Sequence, residues 1–161
     1  ECSLRKWLNE EFYESAFDES EKKMIKTYTI RNEENPRMAY YMDTNENVYE
    51  TDEGNPTEVK VFPLTVDELL NTDYGFSADA DAEDDNRKCL LTDYALAQGT
   101  NFYEKYNKNI KHYSQWGLRT VGYLYQAAVA AVHKNGDVSK SGHGKADISL
   151  AIRPAIYVTI A

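Results

Sequence analysis

Apolar residues recur at Leu4, Trp7, Leu8 and Phe12, the three-and-four spacing of one helical face, and Ser3 stands at the N-cap position. The pattern predicts an amphipathic helix over residues 4–13 with Trp7 as its main anchor. Phe17 then precedes Asp18-Glu19-Ser20-Glu21, a capping box with a hydrophobic staple in front of it, so a second short helix is expected to about residue 25. Alternation over Lys26-Thr27-Tyr28-Thr29-Ile30-Arg31 predicts a strand. Between residues 32 and 58 the periodicity fades among Asn-Pro and Asp-Glu-Gly-Asn-Pro turn signals. That stretch is either a small hairpin built on Tyr40-Tyr41-Met42 and Val48-Tyr49 or a long surface loop.

A short strand over residues 59–64 runs into a second capping box, Thr65-Val66-Asp67-Glu68, opening a helix through residue 70. Thr92 caps another short helix over residues 93–98, stopped by Gly99. Residues 101–113 read as polar, tyrosine-rich loop. The last third is β-like: strands over 115–119 and 125–133, a return from Val138 after the Asn135-Gly136 hairpin signal, then 148–152 and 155–160. Ser141-Gly142-His143-Gly144-Lys145 reads as a flexible loop.

Two arginines stand inside apolar runs: Arg119 in Trp116-Gly117-Leu118-Arg119-Thr120, and Arg153 in Ile152-Arg153-Pro154-Ala155-Ile156. Arginine is rarely buried unpaired, so both are expected as internal ties to carbonyls or a carboxylate. Trp7, Trp116, Arg119 and Arg153 are therefore assigned to the scaffold.

At 161 residues, the chain fits a single domain over 1–161 with enough apolar content for a core. The net charge of −9 disfavours nucleic acid and anionic membrane as partners, and no apolar run approaches the ~20 residues of a membrane-spanning helix. Cys2 and Cys89 form no C-x-x-C pair; they read as separate thiols, although a bond between them would close a long loop. The chain opens at a helix start with no signal-peptide pattern, which reads as a trimmed beginning.

Catalytic patterns do not emerge. His112, His133 and His143 fall in no nucleophile, zinc or phosphate motif, and His133 is expected to be structural or exposed. Asp79, Asp81 and Glu83 alternate like the start of a calcium loop, but Asp84 stands where such a loop needs glycine and Leu90 where it needs glutamate. A solvated acidic loop is expected there; the three carboxylates are weak metal candidates, and calcium is the one cofactor left open. Thirteen tyrosines suit half-buried β surfaces and also contact surfaces. Tyr113, Tyr123, Tyr125, Gln126, His143 and Lys145, on or beside strand-framed loops, are the candidate ligand-binding residues.

Five ordered blocks carry a family resemblance. They are Ser3-Leu4-Arg5-Lys6-Trp7-Leu8-Asn9 with Phe12 and Ala16-Phe17; Val61-Phe62-Pro63-Leu64-Thr65 with Glu68; Thr92-Asp93-Tyr94-Ala95 with Gly99; Trp116-Gly117-Leu118-Arg119-Thr120; and Arg153-Pro154-Ala155-Ile156. Together they resemble a bacterial domain family of unknown function that looks like a branch of the C-type lectin-like fold, related to the formylglycine-generating, sulfatase-modifying group. The resemblance implies an α+β fold, with short N-terminal helices packed on a twisted antiparallel sheet from the C-terminal third. It also implies a secreted or cell-surface bacterial protein without catalysis. The cysteine pair of the formylglycine-generating enzymes lies late in the chain, unlike Cys2 and Cys89, so that activity is not carried over.

The resemblance implies one or two strands before the first block, and the sequence, opening at that block, reads as lacking them. The segment 155–160 is thus expected either as an unpaired edge or as one paired by an upstream fragment or a neighbouring chain. The functional expectation is a non-enzymatic extracellular module that recognises a protein or glycan through its loops. The alternative is an assembly domain of an adhesin, pilus-like or phage-tail protein, completed by a partner's strand.

Overall fold

The structure, a computed structural model, describes residues 2–32, 54–98, 100, 113–122, 128–144, 147 and 149–159. The hairpin expected around Tyr40 and Tyr49, the loop over 101–112 with His112, the Gly99 stop, and Tyr123, Tyr125, Gln126 and Lys145 lie outside these residues.

The first helical stretch is α1 (Ser3–Trp7), which passes through a π-helical turn, Leu8–Phe12, into α2 (Tyr13–Ala16). Cys2 holds the N-cap position without a side-chain cap, so Ser3 belongs to the first turn and does not cap it. The anchors also differ from expectation. Leu8 and Tyr13 are buried, whereas Trp7 is half-buried and lies against Phe12, with ring centroids 5.3 Å apart. The wider π turn explains the change, because its i to i+5 spacing brings Leu8 and Tyr13 onto one face. Helix α3 (Glu19–Met24) starts as the pattern predicts: the Asp18 carboxylate accepts from the Ser20 and Glu21 N–H groups, and Glu21 accepts from the Asp18 N–H at 2.9 Å.

Strand β1 (Tyr28–Ile30) pairs antiparallel with β2 (Thr57–Val59). One residue further on, β3 (Val61–Phe62) pairs antiparallel with the last strand, β10 (Ala155–Ile156), and an isolated bridge joins Ile25 to Val158. The closing segment is therefore held by this chain's own residues along β3 and Ile25. The expectation of an unpaired edge there is corrected. Asn9 docks the helix onto the β2–β3 junction: its Oδ1 accepts from the Lys60 and Val61 N–H groups, and its Nδ2 donates to the Val61 carbonyl at 2.9 Å. Leu8, Tyr13, Ile25 and Val61 form the small core beneath that joint.

The larger core lies under the four-stranded sheet of the last third. Helix α4 (Val66–Leu69), opened by the Thr65–Glu68 capping box, drops Val66 and Leu69 onto it. Strand β4 (Cys89–Leu90) pairs with β5 (Tyr113–Ser114), and Thr92 caps α5 (Asp93–Ala97) between them. The sheet itself consists of β6 (Trp116–Val121), β7 (Ala128–Val132), β8 (Val138–Gly144) and β9 (Ala151–Ile152), in the order β8-β7-β6-β9. Its β6–β9 pair is parallel, unlike the antiparallel sheet expected. Strand β8 runs through Gly144, so the segment expected as a loop at Ser141–Gly144 is strand, with His143 opposite Val129. The Asn135-Gly136 turn forms as predicted, with Gly136 at φ +91° and the His133 N–H bonded to the Asp137 carbonyl.

The acidic stretch is wound around an internal cation. Arg87 is completely buried. Its guanidinium donates to the carbonyls of Leu69, Ser77, Asp79 and Gly136, and Asp84 approaches to 3.4 Å. The loop thus gathers carbonyl oxygens as a calcium loop does, but around an arginine. Asp79 contributes its carbonyl to that ring, while its carboxylate accepts from the Asp81 N–H at 3.0 Å. Asp79, Asp81 and Glu83 are exposed, and among the described residues no group of three or more His, Cys, Asp or Glu side chains forms a metal site.

Candidate functional site

Helix α4 fixes the carboxylate on which the site is built. Because the capping box requires Glu68 to reach back to the Thr65 N–H (2.8 Å), the carboxylate lies against β6, where Arg119 meets it. Arg119 Nη1 donates to Glu68 Oε2 at 2.8 Å and Nη2 to Oε1 at 3.0 Å; Nη1 also reaches the Pro63 carbonyl. The tie expected of Arg119 is present. The guanidinium lies over the Phe62 ring, 5.3 Å from its centre.

An aromatic row extends outward from that tie. Phe62 packs on Tyr157 with centroids 5.1 Å apart, and Tyr157 packs on Tyr28 at 4.6 Å. The Tyr157 hydroxyl donates to Glu68 Oε1 at 3.4 Å. Burial and the neighbouring Glu68 charge push the Tyr157 phenol up to about 12, with Tyr74 and Tyr28 adding to the shift. The outer end of the row is open: Tyr28 is 51% exposed and Tyr74 53%. Met24 (49%) and Val158 (47%) adjoin through the Ile25–Val158 bridge and the Thr159 N–H to Met24 carbonyl bond. Tyr28 and Tyr74 neighbour Tyr157, and Met24 and Val158 lie where the closing segment meets Ile25, so four large apolar or aromatic residues are exposed near that segment. Single exposed apolar residues are ordinary, but a group this concentrated is characteristic of a contact surface.

On the inner side of the same β structure lies a cavity of about 850 Å³. Its walls are mainly apolar, with Leu4, Leu8, Val61, Phe62, Val129 and Ile152 prominent, and Arg5 and Arg119 supply the cationic groups. Arg5 Nη1 donates to the Thr57 hydroxyl at 3.1 Å. The Arg119 Nε is buried and has no hydrogen-bond partner.

The residues singled out in the sequence are dispersed. Tyr113 is half-buried on β5, with the Lys88 ammonium 5.9 Å from its ring centre. His143 lies on β8, edge-on to His133 with centroids 5.9 Å apart and 4.0 Å from the Asp147 carboxylate. His133 itself bonds Asp137 through Nδ1 at 2.7 Å, a structural role at the hairpin. Trp116 is fully buried and donates to the Arg87 carbonyl at 2.9 Å. Arg153 covers the Trp116 ring and donates to the Asn86 carbonyl at 3.1 Å, so it too is a tie, although half-buried. Both cysteines are free; burial pushes the Cys89 thiol up, against the pull of Arg153.

Missing from the sequence-based set were Arg87, Asn9, Tyr28, Tyr74 and Tyr157. Arg87 sits in Asp84-Asp85-Asn86-Arg87-Lys88, which looks like solvated surface. Only the high tyrosine count hinted at the aromatic row, and a count carries no positions.

The fold is thus a mixed α+β arrangement of short helices and several small sheets, presenting an aromatic surface beside an arginine–carboxylate tie. The chain belongs to the family described as Domain of unknown function (DUF6273), whose model matches residues 1–160. No curated protein and no solved structure matches the chain.

Proposed function

We propose that this domain is a non-catalytic binding module of a bacterial extracellular or cell-surface protein, built on a C-type lectin-like fold. Its main contact surface is formed by Met24, Tyr28, Tyr74 and Val158. The carrying observation is that Tyr28 packs on Tyr157, which packs on Phe62 beneath Arg119, while Met24 and Val158 stand exposed where the same closing segment meets Ile25. Rigid aromatic side chains give large contact area at low entropic cost. The lectin-like relation is supported by the ordered sequence blocks and by the pairing of the closing segment with β3 and Ile25, which brings early and late parts of the chain together.

A protein partner is favoured over a glycan. The Glu68 carboxylate, the nearest acidic group in the row, already accepts from the Thr65 N–H, from two Arg119 nitrogens and from the Tyr157 hydroxyl. Little acceptor capacity is left for the hydroxyls of a sugar ring. Tyr123, Tyr125 and Gln126 keep the recognition role proposed for them on sequence grounds.

Pull-down from bacterial surface extracts, run beside a glycan array, tests the proposal. A partner retained by the native domain and lost by Tyr28→Ala combined with Tyr74→Ala supports it. Retention unchanged by that pair, or binding confined to glycans, contradicts it.

A further inference from the structure

We infer that the cavity between α1 and the β structure is a second binding site, for a single amphipathic carboxylate such as a medium-chain fatty acid. Its volume of about 850 Å³ falls within the range of roughly 300–1,000 Å³ typical of small-molecule pockets. The walls come from separate parts of the chain: Leu4 and Leu8 from the first helical stretch, Val61 and Phe62 from β3, Val129 from β7 and Ile152 from β9. The apolar walls define the body of the occupant.

Charge defines its head group. Among the described residues, three charged side chains line the cavity: Arg5, Arg119 and Asp147. Arg119 is neutralised by Glu68, although its buried Nε–H has no acceptor. Asp147 is exposed and occupied by the Ser149 N–H, which places it at the rim. Arg5 is half-buried, and among the described residues its guanidinium bonds a neutral hydroxyl, that of Thr57. A guanidinium held by a neutral hydroxyl beside an apolar hollow is complementary to a carboxylate with an alkyl tail. The cavity shares Phe62 and Arg119 with the stack behind the aromatic surface, while Met24, Tyr28, Tyr74 and Val158 do not line it.

Gly117 and Val129 give the means to close the chamber. A Cβ at Gly117 would stand 3.7 Å from Leu150 and 3.8 Å from Val129, ordinary contact distances, and all three residues line the cavity. Isothermal titration of the whole domain with dodecanoate below its micelle concentration, with dodecylamine as the charge-reversed control, is the direct test. The expected results are one site for dodecanoate, no saturable binding of dodecylamine, affinity weakened roughly tenfold or more by Arg5→Gln, and binding abolished by Gly117→Val or Val129→Phe. Each variant's fold is checked by circular dichroism, and either filling variant serves if the other fails to fold. No dodecanoate binding to the native domain overturns the inference. So does binding unchanged by Arg5→Gln and by the folded filling variant, or equal binding of dodecylamine.

Discussion

Glu68 and Arg119, 51 residues apart in sequence, meet in a two-pronged contact at 2.8 and 3.0 Å, in which both oxygens and both terminal nitrogens are used. The contact does three things. It fastens α4 to β6, gives Arg119 a reason to be only 11% exposed in its side chain, and sets a carboxylate beneath the Tyr157 hydroxyl.

Breaking one half of that pair leaves a nearly buried charge uncompensated. Arg119→Met alone is expected to destabilise the domain by about 3 kcal/mol, lowering the melting temperature by roughly 6–12 °C for a chain of this size. Adding Glu68→Leu should recover part of the loss, because it removes the stranded carboxylate. Urea unfolding of the two single variants and the double variant measures the coupling.

Arg87 holds residues 69, 77, 79 and 136 together through their carbonyls. Its replacement by methionine fills similar space but leaves those carbonyls without donors. The expected cost is about 3–5 kcal/mol. Added calcium should not restore the loss, and thermal melts of the variant with and without the ion check both points.

Gly136 ties the hairpin to the same loop. A Cβ at this position would overlap the Asp84 backbone, and its φ of +91° is unfavourable for any other residue. Gly136→Ala should therefore cost about 2–3 kcal/mol. Gly144→Ala, where a Cβ meets nothing among the described residues, is the control expected to change stability little.

Tyr157 gives an alkaline signature. Its folded value of about 12 lies above the ordinary 10.0, so the protonated phenol favours the folded state. That contribution is complete below about pH 10 and is lost as the pH rises from 10 toward 12. Ultraviolet titration should show one tyrosine ionising late, and Tyr157→Phe should remove both that component and the matching fall in stability.

Asp84 gives the acidic counterpart. Burial raises its carboxyl, but the N–H groups of Ser77 and Asn86 together with the Arg87 charge outweigh burial and hold it below the usual 3.8. Its contribution is present above that value and disappears as the pH falls through the lowered one. Asp84→Asn should flatten this part of the acid-unfolding curve, followed by fluorescence of the buried Trp116.

Local features were legible in the sequence. The capping boxes at Asp18 and Thr65, the Thr92 cap and the Asn135-Gly136 turn each depend on residues within a few positions of one another. Arg119 was legible because an arginine inside an apolar run must find a partner. The features set by distant contacts were not. Nothing near Arg87 announces burial, since its carbonyl partners come from three separate segments. Trp7 gave way to Leu8 because a π turn changes which residues share a face. Strand β9 runs parallel to β6, and β10 finds β3, through pairings no local pattern encodes. Tyr28 meets Tyr157, and Met24 meets the Val158–Thr159 segment, only through contacts of this long-range kind.

The central claim is that this surface meets a partner, and site-specific photo-crosslinking tests it most directly. Benzoylphenylalanine is placed at Tyr28, at Tyr74, and at Tyr94, an exposed tyrosine on α5 that serves as the control. Irradiation in a bacterial surface extract should join the same discrete protein to the domain from positions 28 and 74 but not from 94. Equal labelling from all three positions, or none from 28 and 74, would contradict the account.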